Sequence, residues 1–285
     1  MNLVKTTIRI GLPSPIRLLH LSDTHFCKAD EFDPEHMHAH AANRLNGAFL
    51  HNGEDRIQEY WDEAVAYAKE NNMPILHTGD LIDFLTHGCG AHAQKMLENT
   101  DCFFAMGNHE LCHQVGKARE DLSYKMEQLP VCQPFFKDPL LFASRVIGGV
   151  NFVAIDNGYY LFTDWQTERL KYEVSKGYPV ILMMHNPIHT DALYEIMMNE
   201  KKQPCAYLVG TPVDMMQCYP EHRFNQQLAD APTNRFIEYI AHEPAIKAIL
   251  AGHLHFNWEG ELPWGVMQYV TGGGFLGDAR EIEIL

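Results

Sequence analysis

The chain reads as an α/β layered protein, on three observations. Short apolar runs of strand length alternate with longer segments whose apolar residues recur at three- and four-residue steps. The strand-like runs end in Gly, Asp or Asn, residues that turn the chain. A hydrophobic content of 46% beside 21% charged residues lets 285 residues bury a substantial core.

The first strand is predicted over Ile16–Leu21 and ends in Ser22-Asp23. Ile57, Tyr60, Trp61, Ala64, Val65 and Ala68 then share one face of a helix, which Pro74 stops. Ile75–Thr78 is a buried strand running into Gly79-Asp80, and Cys102–Met106 a strand emptying into Gly107-Asn108-His109-Glu110. Arg119–Leu129 is helical, with Leu122, Met126 and Leu129 as its inner side. Leu140–Ile147 and Asn151–Ile155 form a hairpin about Gly148-Gly149. Thr163 opens a helix with Gln166 as its capping-box partner. Pro179–Met184 is a strand ending at His185, and Pro232 opens a helix through His242. Ala245–Ala251 is a strand ending at Gly252-His253, while Val266–Thr271 and Glu281–Leu285 are expected at sheet edges. Two stretches break the rhythm, at about 27–55 and 189–231, and are expected to be lids or binding loops. Without an internal repeat or low-complexity tract, the expected organisation is a single domain, 1–285, carrying these two insertions.

Composition bounds the function. A formal charge of −15 disfavours a general nucleic-acid binder, so no nucleic-acid partner is expected. It is compatible with a phosphorylated substrate, because bound dications reverse the local field. Met1–Pro15 lacks the continuous apolar run of a secretory signal, and no apolar stretch reaches the 18 residues of a membrane span. Seven scattered cysteines without a CxxC pair read as free thiols, and the expected location is cytoplasmic.

Five polar clusters each follow a predicted strand: Asp23-Thr24-His25, Gly79-Asp80, Gly107-Asn108-His109-Glu110, His185, and Gly252-His253-Leu254-His255. In open α/β sheets ligands gather at the carboxyl ends of strands, so five sets of oxygen and imidazole donors there point to a metal site. In Asp-x-His and His-x-His, residues two apart would share a face of an extended segment and aim at one ion. Carboxylate, imidazole and amide oxygen without thiolate suit Mn, Fe, Zn, Co or Ni rather than Ca. Glycines before Asp80, Asn108 and His253 let the backbone turn where a side chain would crowd the ions.

Taken in order, these clusters resemble the five-part signature of the calcineurin-like metallophosphoesterase superfamily: DxH, GD, GNH(D/E), H and GHxH. Every ligand position is filled, and the motifs run from residue 23 to 255. The resemblance implies a β-sandwich flanked by helices and two transition-metal ions, Mn, Fe or Zn by preference. It assigns Asp23, His25 and His255 to the first metal, Asn108, His185 and His253 to the second, and Asp80 to a bridge between them. Such a pair lowers the pKa of a shared water and clamps the phosphoryl oxygens for in-line attack. By the same resemblance His109 is the acid for the leaving oxygen, and Asp83 the residue that orients it.

The implied activity is hydrolysis of a small-molecule phosphate mono- or diester, nucleotides and cyclic nucleotides among them. The arginines that protein phosphatases of the family carry beside GD and GNHE are absent, since Phe84 follows Asp83 and Met106 precedes Gly107. Neither length nor charge offers the cap and basic groove of a repair nuclease. A phosphoprotein phosphatase, a nuclease and a non-catalytic scaffold on the same fold are the alternatives. Selectivity is expected in the insertions, where Phe26, Phe49, Tyr194, Tyr207, Tyr219 and Phe224 either stack on a base or pack a lid or core. His36, His38 and His40 are read as part of a lid or solvated loop, His20 and His77 as core or supporting residues, and Glu110 as a local hydrogen-bonding group. Gly272-Gly273-Gly274 either approaches phosphate through its amides or is an ordinary loop.

Overall fold

The computed structural model describes residues 1–285. In chain order the elements are β1 (Asn2–Ile8), β2 (Ile16–Leu21), α1 (Glu35–Arg44), α2 (Ile57–Glu70), β3 (Ile75–His77), α3 (His87–Glu98), β4 (Cys102–Phe104), α4 (Leu122–Cys132), β5 (Phe142–Ile147), β6 (Val150–Ile155), α5 (Asp164–Val174), β7 (Val180–Met183), α6 (Asp191–Glu195), α7 (Glu221–Gln227), α8 (Ala231–His242), β8 (Ile246–Ala251), β9 (Trp258–Glu261), β10 (Met267–Val270) and β11 (Asp278–Ile284). They form two sheets, ordered β1-β11-β2-β3-β4 and β5-β6-β7-β8-β10-β9. Within them β2, β3 and β4 run parallel, as do β6, β7, β8 and β10.

Alternation along the strands builds the layers. Leu18, Leu76, Phe103 and Ile282 of the first sheet pack against Phe152, Ile181, Ala248 and Leu250 of the second. The residues next in sequence face outward: Leu19 and Ile75 meet Trp61 and Ala64 of α2, while Val153 and Leu182 meet Leu170 of α5 and Phe236 of α8. Both sheets are thus covered by helices on their outer faces, the sandwich that the motifs implied.

Several expectations change. β10 and β11 lie inside their sheets, because β9 and β1 pair outside them. Residues 27–55 contain α1, and 189–231 contain α6, α7 and a buried cluster including Leu193, Leu208 and Met216, so neither is a bare loop. On α4 most of the expected inner face is turned out: Leu122 and Met126 are 61% and 53% exposed, Leu129 alone of the three packs against the core, and Tyr124, Lys125 and Cys132 are buried. The hairpin forms as expected, with Gly148 and Gly149 at φ 56° and 88°, and the capping box at Thr163 and Gln166 is closed in both directions.

Candidate metal centre

The five clusters leave the carboxyl ends of β2, β3 and β4 in one sheet and of β7 and β8 in the other, and they meet where the two sheets adjoin. The residues two apart do not share an extended face. Asp23, His25, Asp80, His253 and His255 all have left-handed backbones, at φ 52°, 55°, 56°, 70° and 57°. A non-glycine residue there carries roughly 1–2 kcal/mol of strain and persists only where its surroundings dictate it. Here main-chain bonds do so, from Asp23 N to Gly79 O and from His25 N to Asp80 O, each 2.9 Å. The amide of His253 crosses between the sheets to Asp23 Oδ2, also at 2.9 Å. The glycines matter by contact: a Cβ on Gly107 would strike Asp80 Oδ1, and one on Gly252 would strike Ser22 Oγ and Asp23 Oδ2.

Three donor groups result: His25, Asp83 and His109 make one, and the two that follow make up the centre itself. Asp23, His25 and His255 converge, with His255 Nε2 3.3 Å from Asp23 Oδ1 and 3.2 Å from His25 Nε2. Asp80, His185 and His253 converge beside them, with His185 Nε2 3.0 Å from Asp80 Oδ2 and 3.1 Å from His253 Nδ1. Asp80 Oδ2 also lies 3.7 Å from His25 Nε2, between the groups, while Asp80 Oδ1 accepts the His109 amide at 2.9 Å.

The donor set fits cations. His25 donates Nδ1–H to Asp83 Oδ1 (3.1 Å) and His185 donates Nδ1–H to Thr78 O (2.7 Å), so both turn a bare Nε2 to the centre. His253 turns Nδ1 inward, its Nε2 being paired with the Tyr160 hydroxyl at 2.8 Å. Asp23 Oδ1 and Asn108 Oδ1 are buried without any hydrogen-bond partner. Such orphaned acceptors are costly unless something positive satisfies them. The carboxylates favour positive charge here: burial opposes it, yet Asp80 and Asp23 push His185 up to about 9, and Asp80 with Asp83 pushes His109 up to about 10. Burial would raise Asp23, but His255 and His185 hold it well below the usual carboxylate range.

A family model described as calcineurin-like phosphoesterase matches residues 16–257. The chain belongs to that family. No curated protein matches this phosphoesterase family member. Among solved structures it resembles a putative 5′-nucleotidase from Staphylococcus aureus, with TM-score 0.48 and 12% identity over 92% of this chain and 49% of that one. It also resembles a dimetal phosphatase from Danio rerio (TM-score 0.43, 11% identity, 91% and 88% covered). A third likeness is to a phosphopantetheinyl hydrolase from Mycobacterium tuberculosis (TM-score 0.41, 13% identity, 90% and 89% covered). The chain spans about half the length of the Staphylococcus protein, and 47% of an NAD nucleotidase from Haemophilus influenzae. These likenesses carry no substrate across.

All nine residues singled out from the family motifs lie in this one region. His109 is 18% exposed and lines an adjoining cavity of about 400 Å³, together with Asn108 and His253. Its Nδ1–H goes to the main-chain carbonyl of Asp83, at 2.6 Å. The Asp83 carboxylate lies 3.1 Å from the same Nδ1 through Oδ1, and it also accepts from His25 and from Arg44, whose Nε and Nη2 lie 2.6 and 2.8 Å away. Asp83 therefore orients His109 as expected, through its backbone carbonyl and its carboxylate together, and the same carboxylate also orients His25. Arg44 went unread in the sequence; its only local signal is a position four residues after His40 on α1. Tyr160, which holds His253, carried no signal.

Other expectations resolve as follows. His36 and His38 are exposed and His40 packs against Phe84, all on a helix and outside all three donor groups. His20 is buried between Thr78 and Thr271, and His77 bonds Thr24. Phe26 and Phe49 are buried, Phe49 stacking on the His25 ring at 4.6 Å, and the hydroxyls of Tyr194 and Tyr219 are spent on Met215 O and Ala206 N. Of the six aromatics only Tyr207 lines the cavity. Gly274 donates its amide to Ser22 O, an ordinary loop contact.

Proposed function

We propose that the chain is a dinuclear-metal phosphoesterase that hydrolyses a small-molecule phosphate mono- or diester, and that residues 1–285 act as one catalytic unit. The observation that carries this reading is the pair of donor groups flanking Asp80 Oδ2, with Asp23 Oδ1 and Asn108 Oδ1 left without partners. Asp23, His25 and His255 would hold one ion and Asn108, His185 and His253 the other, with Asp80 placed to serve both; Mn, Fe and Zn suit these donors. These residues would thereby give the site Lewis acidity and a means of acidifying water toward neutral pH.

The remaining work belongs to the chain. Asp83, Thr78 and Tyr160 fix the three imidazoles by bonding the nitrogen that faces away. His109, with Nδ1–H committed to a carbonyl, turns Nε2 to the cavity and gives its proton to the leaving oxygen from there. Seven unpaired thiols are compatible with a reducing, cytoplasmic setting.

Metal-reconstituted protein should turn over a phosphate monoester, a diester or a cyclic nucleotide in a side-by-side panel. Turnover confined to phosphoproteins would refute the small-molecule assignment. His109→Ala should lose roughly 10²–10⁴-fold in rate while keeping its metal; full activity against a poor leaving group would remove His109 from the reaction. Asp80→Ala and His185→Ala should lower metal content by elemental analysis, and unchanged stoichiometry would contradict the assignment of ligands.

A further inference from the structure

The cavity beside the proposed centre is lined by two unlike sets of residues. One set is Asn108, His109 and His253; the other is Arg223, with Glu120, Gln226 and Tyr207 near it. Its volume, about 400 Å³, suits a small ligand. Arg223 is the only Lys or Arg on its lining, in a chain of formal charge −15. It stands on α7, inside the 189–231 insertion.

The guanidinium is held in place. Its carbon lies 5.4 Å from the centre of the Tyr207 ring, and that ring sits 5.7 Å from the ring of His253. Tyr207 has φ 58°, and Tyr160, which bonds His253, has φ 67°. A bulky side chain at positive φ is uncommon, and two of them link this arginine to one imidazole of the centre. Arg223 uses Nη1 for its protein bonds, 3.0 Å to Glu120 Oε2 and 2.7 Å to Gln226 Oε1, while Gln226 in turn donates to Glu120. Nε and Nη2 make no bond within the protein, so a forked donor pair remains for an acceptor in the cavity.

We infer that Arg223 is a specificity-determining residue that binds a second anionic group of the substrate, phosphate or carboxylate, while the scissile phosphate occupies the proposed centre. This deepens the phosphoesterase reading and rests on it. Glu120 is the internal competitor: it occupies Nη1 and its charge lies beside the site that the substrate's second anion would take. The substrate class is then a phosphate ester with an anion at each end. An ester whose leaving group is neutral would fill the centre without using Arg223.

Calorimetry with non-hydrolysable probes tests this on metal-loaded protein. The probes are propylphosphonate, 3-phosphonopropionate and propane-1,3-bisphosphonate, the last two separating a carboxylate from a phosphate as the second anion. Wild type should bind at least one two-headed probe about tenfold more tightly than propylphosphonate, the scale of a charge-assisted forked contact. Arg223→Ala should abolish that preference and leave propylphosphonate unchanged. Glu120→Gln should strengthen two-headed binding, which guards against a misfolded arginine variant. Equal preference in wild type and Arg223→Ala, or weakened two-headed binding in Glu120→Gln, would overturn the inference while leaving the metal reading intact. Failure of the metal reading shows elsewhere: propylphosphonate would bind equally well after chelation, and the role of Arg223 would fall with it.

Discussion

Glu110 ends the GNHE motif with no basic partner, and its carboxylate accepts main-chain N–H groups from Gly107, Asp80, Leu81 and Ile82 at 2.7–3.4 Å. Burial and the nearby charge of Asp80 push it up to about 7. It binds the loop after β3 to the loop after β4, and so fixes Asp80 against Asn108. The expectation of a local hydrogen-bonding role was right in kind, but the bonds to Asp80 and its neighbours span about thirty positions, beyond what a motif displays. Glu110→Gln keeps the shape and turns an NH₂ toward amide donors, so it should cost about 2–4 kcal/mol, the scale of one or two buried groups left unpaired. A urea melt within about 0.5 kcal/mol of wild type would show that the clamp does not carry stability.

At the scale of elements, α4 shows how a periodic pattern can point the wrong way. Leu122 and Met126 have helical spacing, yet the helix buries Lys125, whose Nζ lies 2.5 Å from Asp156 Oδ2 at the end of β6, and Tyr124, whose hydroxyl accepts from His113 N. An anchored ion pair fixes the rotation of the helix more firmly than two leucine-sized contacts, because a lone buried charge costs more than an exposed apolar side chain. Lys125→Met should therefore destabilise by about 3–5 kcal/mol, whereas Leu122→Ser should stay within about 0.5 kcal/mol. The reverse order in thermal or denaturant melts would mean that the helix face has been misassigned. By contrast α2 was legible, since Ile57, Tyr60, Trp61, Ala64 and Ala68 are all buried. Helix α3 was not: Gly88 and Gly90 lower its helical propensity, but a Cβ on Gly90 would strike the Phe135 ring, so packing requires what propensity disfavours.

For the whole molecule, the proposed centre acts as a junction. Asp23, His25, Asp80 and Asn108 follow strands of one sheet, His185, His253 and His255 strands of the other, and direct polar bonds such as His253 N to Asp23 Oδ2, His185 Nδ1 to Thr78 O and Thr271 Oγ1 to His20 Nδ1 already cross there. Ions held by both sides would bind the native state and not the unfolded chain, adding about 2.7 kcal/mol at a concentration a hundred times Kd. Manganese or zinc should raise the melting temperature by several degrees and a chelator should reverse it, with Asp80→Ala losing the response. A melting curve indifferent to metal would argue against a centre joining the sheets.

The order and chemistry of the donors and the strand ends that carry them were written in the sequence, because local periodicity and short motifs encode them; the sandwich was available only through the family resemblance those motifs carry. What needed the folded chain were the left-handed turns at Asp23, His25, Asp80, His253 and His255, the Arg44–Asp83–His25 chain of contacts, and the cavity whose lining brings Arg223 and His253 together. Each depends on groups brought together from distant positions by packing of the two sheets and their insertions. Such contacts leave no periodic trace along the chain.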